Sequence, residues 1–290
     1  MTSIPVQQVL AHTDYFEMDS AAVGARFAIW VTTSPTYAQQ EEGSYPALYV
    51  TDGNFSVGLT APLAVMQNDV ALPIAPYLQV TVGYTGQDAE DWSRVRNRDL
   101  VPPGEPIPPD MRSSLELAVE KGLMTRSQVE AYLTELATTR ADAFLAFLSD
   151  ELHPEVCSRY RVAPTGHGLF GYSYGGLFTL FALLSGCPLF SVYGAGSPGV
   201  ITPDSTILTL AASTPDLRGK RLHMTVNERE MTGELPLYRQ LGLRFVQLVD
   251  NLRASDTGVD LSTSVLGETH LTGLQASFLS FMRACYRGTP

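Results

Sequence analysis

Short apolar or alternating runs recur along the chain between longer segments compatible with helix, which is the rhythm of an α/β sheet rather than of a sandwich or a bundle. Residues 16–20 and 26–33 read as two strands joined by a turn at Gly24, the second with Phe27, Ile29 and Val31 on one face. They are expected to make an antiparallel edge. Residues 47–51 (ALYVT) and 78–82 (LQVTV) are short apolar runs of the kind buried inside a parallel sheet. Residues 168–172, 191–195, 222–226 and 261–266 continue the series. Helical segments near residues 177–184, 234–254 and 271–286 are long enough to serve as crossover connections. About eight strands result, mostly parallel, with helices on both faces.

Residues 86–138 break this rhythm. They open with WSRVRNRDL, read as a polar loop, pass through the proline-rich VPPGEPIPPD, and offer two short helices split at Gly122. Thr125, with Gln128 three residues on, fits a capping box for the second helix. An insertion of this length in a compact domain is usually a lid or binding element, so it is expected to cap an active site. Residues 1–290 are then one catalytic domain with its cap at about 86–138.

Composition narrows the choice of partner. The 290 residues are 44% apolar, enough for a large core. Lys and Arg number 19 against 30 Asp and Glu, a net charge of −11 that disfavours polyphosphates and anionic lipid surfaces. Nucleic acid and membrane are therefore excluded as expected partners. The N-terminus shows no basic region followed by an apolar run and a small-residue cleavage site, so a soluble, cytoplasmic protein is expected. Cys157, Cys187 and Cys285 are odd in number, far apart and without zinc-site spacing, and read as buried free thiols.

The chemistry is concentrated at Gly171-Tyr172-Ser173-Tyr174-Gly175, a G-x-S-x-G placed straight after an apolar strand and straight before a helix. A sharp strand-to-helix turn forces the serine into a strained conformation and leaves no room for neighbouring side chains, which is why glycines flank it. The turn presents the Ser173 hydroxyl at the carboxyl edge of the sheet, with the Tyr174 amide aimed at a developing oxyanion. Such a serine needs a base, and geometry sorts the five histidines. His167 is at the wrong end of the Ser173 strand, ~20 Å away, His223 begins the seventh strand, His12 is near a terminus, and His153 caps a helix before Pro154. His270 follows the eighth strand in a loop and precedes the last helix, where a catalytic base belongs. Chain order in this kind of site runs serine, acid, histidine, so the acid follows the seventh strand: Glu230 is preferred and Glu228 held in reserve. Asp256 and Asp260 are poorer candidates. A second oxyanion donor is expected from Asp52-Gly53-Asn54-Phe55 after the third strand, through the amide of Asn54 or Phe55.

These segments resemble the esterase branch of the α/β-hydrolases, which holds esterase D, siderophore esterases, feruloyl esterases and mycolyl transferases. The resemblance covers most of the chain. It is carried by residues 25–31 with Tyr37, by Leu48-Tyr49-Val50-Thr51-Asp52-Gly53-Asn54, and by Arg96-Asn97-Arg98-Asp99-Leu100 with Pro102. Residues 144–148 followed by Glu151-Leu152-His153-Pro154, then Gly171-Tyr172-Ser173-Tyr174-Gly175-Gly176-Leu177 and Gly267-Glu268-Thr269-His270, complete it. The resemblance implies an α/β-hydrolase fold and an acid at the end of a Gly-x-x-Glu turn, which falls on Glu230 with Asn227 in place of the glycine.

The expected activity is cleavage of a small-molecule ester or lactone through a Ser-His-Glu triad and an acyl-enzyme, with no metal or organic cofactor. Phe55, Trp92, Tyr132 and Tyr174 are expected as substrate walls. Arg94, Arg96 and Arg98 are read either as holding a substrate carboxylate or as paired internally, Arg98 with Asp99. Acyl transfer to an alcohol, cleavage of a C–C or amide bond, and a non-catalytic binding protein are the alternatives. The chain is expected to work alone or as a homodimer.

Overall fold

A computed structural model describes residues 5–39, 42–213, 216–255 and 257–288. The strands are β1 (Thr13–Ser20), β2 (Ala25–Thr32), β3 (Ala47–Val50), β4 (Leu78–Tyr84), β5 (His167–Tyr172), β6 (Phe190–Gly196), β7 (Arg221–Asn227) and β8 (Asp260–Leu266). Helices α1 (Gly53–Thr60), α2 (Gly86–Glu90), α3 (Trp92–Leu100), α4 (Met111–Glu120) and α5 (Arg126–Ala137) precede β5. So do α6 (Ala141–Ala146) and α7 (His153–Arg159), joined by a π-helical stretch, Phe147–Leu152. After it come α8 (Tyr174–Leu184), α9 (Thr206–Ala212), α10 (Glu228–Thr232), α11 (Pro236–Ala254) and α12 (Gly273–Cys285).

The strands form one eight-stranded sheet in the order β1-β2-β4-β3-β5-β6-β7-β8. β1 pairs antiparallel with β2, and β2 antiparallel with β4; all later pairings are parallel. The expected antiparallel edge and mostly parallel sheet are thus the observed ones. On β3, Ala47 and Tyr49 face a large core on one side while Leu48 and Val50 face a second core on the other. The period-2 alternation of a strand puts apolar residues on both faces because both are covered. α8 supplies Leu177, Phe178 and Leu180 to the first core, and α12 supplies Phe278, Phe281 and Met282 to the second.

From β3 the chain passes to β4 on one side and later returns to β5 on the other. The order therefore reverses between β3 and β5, and a crevice opens at their carboxyl ends, where ligands of open α/β sheets bind.

Two expectations need correction. WSRVRNRDL is helix α3, not a loop, with Val95, Asn97, Asp99 and Leu100 buried. Its arginines are matched by carboxylates, Arg94 with Glu135, Arg96 with Asp52 and Arg98 with Asp99, so a stretch that looks polar throughout buries one face. Cys187 and Cys285 are buried, but Cys157 is exposed on the outer side of α7. The capping box at Thr125 and Gln128 is present at the start of α5. The proline-rich stretch is pinned by Glu105, which accepts the Thr206 amide at 2.9 Å. Among the described residues no helix is long and apolar enough to cross a membrane.

Two histidines belong to the fold rather than to the crevice. His167 Nδ1 accepts the Ala47 amide at 3.1 Å, which requires that nitrogen to be unprotonated. His223 lies between the hydroxyls of Ser262 and Ser280, at 2.8 and 2.9 Å. Burial pushes both down to about 4, with His153 adding to the effect at His167. A histidine near 4 in the folded chain and about 6.5 in the unfolded chain leaves the unfolded state holding more protons between those values. Stability is complete above pH 6.5 and is lost as pH falls toward 4. Between pH 7 and pH 5 each histidine is expected to remove about 1–2 kcal/mol of unfolding free energy. Urea denaturation of wild type and His223→Gln at both pH values checks this, since the variant must show the smaller loss.

Candidate active site

Ser173 sits between the end of β5 and the start of α8 with φ 59° and ψ −118°, a conformation that non-glycine residues rarely adopt. A Cβ on Gly171 would lie 2.1 Å from the Gly175 carbonyl oxygen, and one on Gly175 would lie 2.4 Å from Thr51 Oγ1. The turn can close only with glycine at both places. It is fixed by backbone bonds on either side: the Ser173 amide donates to Gly196 at 2.9 Å, and the Gly199 amide donates to the Ser173 carbonyl at 2.9 Å.

The loop after β8 brings His270 to this turn. Its Nε2 lies 3.0 Å from Ser173 Oγ and its Nδ1 lies 2.6 Å from Glu230 Oε1. Glu230 is fully buried at the first turn of α10, whereas Glu228, two residues earlier, is exposed. Asp260 is exposed and pairs with Arg221, and Asp256 lies outside the described residues.

The Glu230 carboxylate also accepts the Asn227 amide at 2.8 Å, Asn227 Nδ2 at 2.9 Å and the Ser197 hydroxyl. Burial alone would raise this carboxyl, but the hydrogen bonds from His270, Ser197 and the Asn227 amide outweigh burial and hold it below the usual carboxylate range. An ionised Glu230 holds the proton of the imidazole on Nδ1 and leaves Nε2 free to accept from Ser173. Asn227 Nδ2 extends the network to Tyr172 Oη at 2.7 Å, and that hydroxyl donates to the His270 carbonyl at 2.8 Å. The Tyr238 ring stacks on the imidazole, centroids 4.7 Å apart and planes at 24°.

Sequence reasoning passed over Ser197, Tyr172 and Tyr238 in these roles and counted Asn227 only as a departure from a family pattern. The Asn227-x-x-Glu230 spacing is itself that of a capping box, and the Glu230 carboxylate reaches back to the Asn227 amide at 2.8 Å. That signal was available.

Asp52, at the end of β3, takes a left-handed conformation with φ 59° and starts α1. The Phe55 amide donates to the Asp52 carbonyl at 2.9 Å, so the reserve donor is already engaged. The amides of Asn54 and Tyr174 find no protein acceptor among the described residues. The Asn54 side chain clamps the loop to β4, accepting the Tyr84 amide at 2.7 Å and donating to its carbonyl at 3.1 Å. Gly53 is needed for close approach, because a Cβ there would lie 2.7 Å from the Trp30 ring.

Arg96 joins this loop to the nucleophile turn. Its guanidinium binds Asp52 through Nε at 2.6 Å and Nη2 at 2.8 Å, and Nη2 also donates to the Tyr172 carbonyl at 3.2 Å. The same group lies over the Tyr174 ring, 5.4 Å from its centroid. The pair is buried, with Arg96 13% and Asp52 4% exposed.

Arg98 binds Asp99 through two bonds of 2.8 Å, the internal pairing of the two readings open for it: its fork is filled from within. Phe55 and Trp92 stack with centroids 5.6 Å apart and planes at 7°, beside the Asn54 amide, and Phe55 is exposed. Burial, with Tyr132 close by, pushes the Tyr174 hydroxyl well above its ordinary range. No group of three or more His, Cys, Asp or Glu among the described residues could hold a metal ion.

Comparison with known proteins agrees with this architecture. Residues 120–221 match the family model described as "Putative esterase". The chain is 28% identical over 264 residues to the siderophore enterobactin esterase of Emericella nidulans, covering 85% of this chain and 79% of that one. It is 28% identical over 159 residues to the ferri-bacillibactin esterase BesA of Bacillus subtilis, covering 54% of this chain and 48% of the relative, so the match spans about half of that protein. Among solved structures, the siderophore hydrolase EstB from Aspergillus nidulans superposes with a TM-score of 0.72 at 20% identity, covering 96% of both chains. An IroE-like serine hydrolase from Shewanella oneidensis gives 0.71 at 21% identity over 94% of this chain and 80% of that one. The fold is the α/β-hydrolase fold, and the resemblance to its esterase branch extends over most of the sequence.

The buried Arg96–Asp52 pair yields a stability prediction. Arg96→Met leaves Asp52 buried without its partner and is expected to cost about 3–5 kcal/mol, whereas Arg96→Met with Asp52→Asn is expected to recover most of that. Denaturant titration of the four proteins in the cycle measures the coupling, and a single-variant cost under about 1 kcal/mol would contradict the assigned role.

Proposed function

We propose that the chain is a serine hydrolase that cleaves a carboxylic ester, with Ser173 as nucleophile, His270 as general base and Glu230 as the acid that orients it. The observation that carries the reading is the continuous path from Ser173 Oγ to His270 Nε2, 3.0 Å, and from His270 Nδ1 to Glu230 Oε1, 2.6 Å. His270 takes the Ser173 proton as the oxygen attacks the ester carbonyl. The amides of Asn54 and Tyr174 receive the oxyanion, and an alcohol leaves with the proton from His270. Water, deprotonated by the same imidazole, attacks the acyl-enzyme; the acid leaves and Ser173 recovers its proton. The curated relatives, named as esterases of siderophores, favour an ester as the bond class. In this reading residues 86–138 form a cap on the domain, and Phe55, Trp92 and Tyr132 line the approach to Ser173.

Turnover of p-nitrophenyl esters by wild type and Ser173→Ala is the direct test, with intact-mass detection of an organophosphonate adduct. Wild type is expected to turn over and to label, and Ser173→Ala to lose at least about 10⁴-fold in kcat and to stay unlabelled while folded. Glu230→Gln is expected to lower kcat about 10²- to 10⁴-fold, and Glu228→Gln by less than about twofold. The opposite ranking would remove Glu230 from the mechanism.

A further inference from the structure

A groove of about 600 Å³ runs between one face of α4 and the segment that leads into α11. Its volume lies in the range of small-molecule sites, roughly 300–1,000 Å³. Ser114, Leu117, Leu123, Leu235, Pro236 and Tyr238 line it. Leu117, Leu123 and Leu235 are 44%, 74% and 55% exposed, so three leucines converge on a space where no side chain of the protein covers them. Tyr238, the ring stacked on His270, is one of the groove's walls.

We infer that this groove receives the alcohol portion of the ester, an inference that rests on the serine-esterase reading above. The carbonyl oxygen has to point at the Asn54 and Tyr174 amides. The leaving oxygen has to come within hydrogen-bond reach of His270 Nε2, because that nitrogen carries the proton taken from Ser173. When the C–O bond breaks, the alkoxide takes that proton and departs as a neutral alcohol. Whatever is attached to the leaving oxygen therefore emerges on the side of the imidazole, where the Tyr238 ring both stacks on the imidazole and forms a wall of the groove. The acyl group is left to the Phe55 and Trp92 side. One cation, Lys121, and one anion, Asp110, stand among the lining residues and offset each other, while the walls are leucine, proline and tyrosine. The occupant this fits is an uncharged alkyl or aryl alcohol.

Two ester series separate the alcohol side from the acyl side. One keeps acetate and lengthens the alcohol from ethyl to octyl; the other keeps ethanol and lengthens the acid from acetate to octanoate. In wild type kcat/KM is expected to rise about two- to fourfold per added CH₂ along the alcohol series. Leu117→Gln and Leu235→Asn, at half-exposed positions that leave the core intact, are expected to lower the octyl-to-ethyl ratio about tenfold while the slope of the acyl series stays in place. If the variants flatten the acyl series instead, or neither series, the groove assignment falls and the esterase reading stands. A folded wild type that turns over no ester overturns both.

Discussion

The strained backbone at Ser173 is the constraint on which the site depends. A serine at φ 59° and ψ −118° costs on the order of 1–3 kcal/mol relative to a relaxed turn, and it persists only where its surroundings leave no alternative. Here they leave none. α8, which follows, is buried along nearly its whole length, and the strand that precedes it is the central one of the sheet. Of the three other described non-glycine residues with positive φ, His12 lies before β1, while Asp52 and Ser197 stand at the ends of β3 and β6, the two neighbours of β5. Strain is thus concentrated along one edge of the sheet: Asp52 turns the chain so that the Asn54 amide is free, and Ser197 turns so that its hydroxyl meets Glu230.

The acid follows from the same economy. A buried carboxylate is costly unless donors surround it, and Glu230 gathers them from Asn227 at the end of β7, from the turn after β6 and from His270. Placing this carboxylate at the third position of a capping box lets one side chain serve twice, accepting the amide at the start of α10 and bonding the His270 imidazole. Tyr172 ties the arrangement back to the nucleophile turn, since it both precedes Ser173 and holds the carbonyl of His270. The three residues of the hydrogen-bonded path come from three separate loops, yet each loop is tied to another by a buried bond.

Much of this was legible in the sequence because it is written in local patterns. Eight strands could be read from apolar runs, and the G-x-S-x-G turn, His270 and Glu230 could be placed at one sheet edge from their position relative to those runs. What could not be read depends on partners far away in the chain. α3 looks like a polar loop because its arginines count as solvated until Asp52 and Glu135 are seen against them, 44 and 41 residues distant. For Arg98, whose partner is the adjacent Asp99, the pairing was among the readings the sequence offered. Cys157 reads as a buried thiol from residue type alone, and only the orientation of α7 decides that it is exposed.

The insertion is not uniformly anchored, and that bears on how one fold could admit different esters. α3 is bolted in place: Arg96 grips the loop after β3 and the end of β5, the Arg98 carbonyl accepts the Arg140 amide at the start of α6, and the helix packs on α5, α6 and α8. Moving it would break the buried ion pair that ties the loop carrying the Asn54 amide to the Ser173 turn. α4 has no comparable tie; it packs chiefly on α5, with its polar contacts at the surface. Local stability follows buried contacts and buried hydrogen bonds, so the outer wall of the groove is the part of the site least determined by the rest of the fold. The Ser173 turn and the outer wall of the groove are thereby separated physically, and substitutions along α4 can alter the shape of the groove without reaching the strained turn on which the proposed chemistry depends.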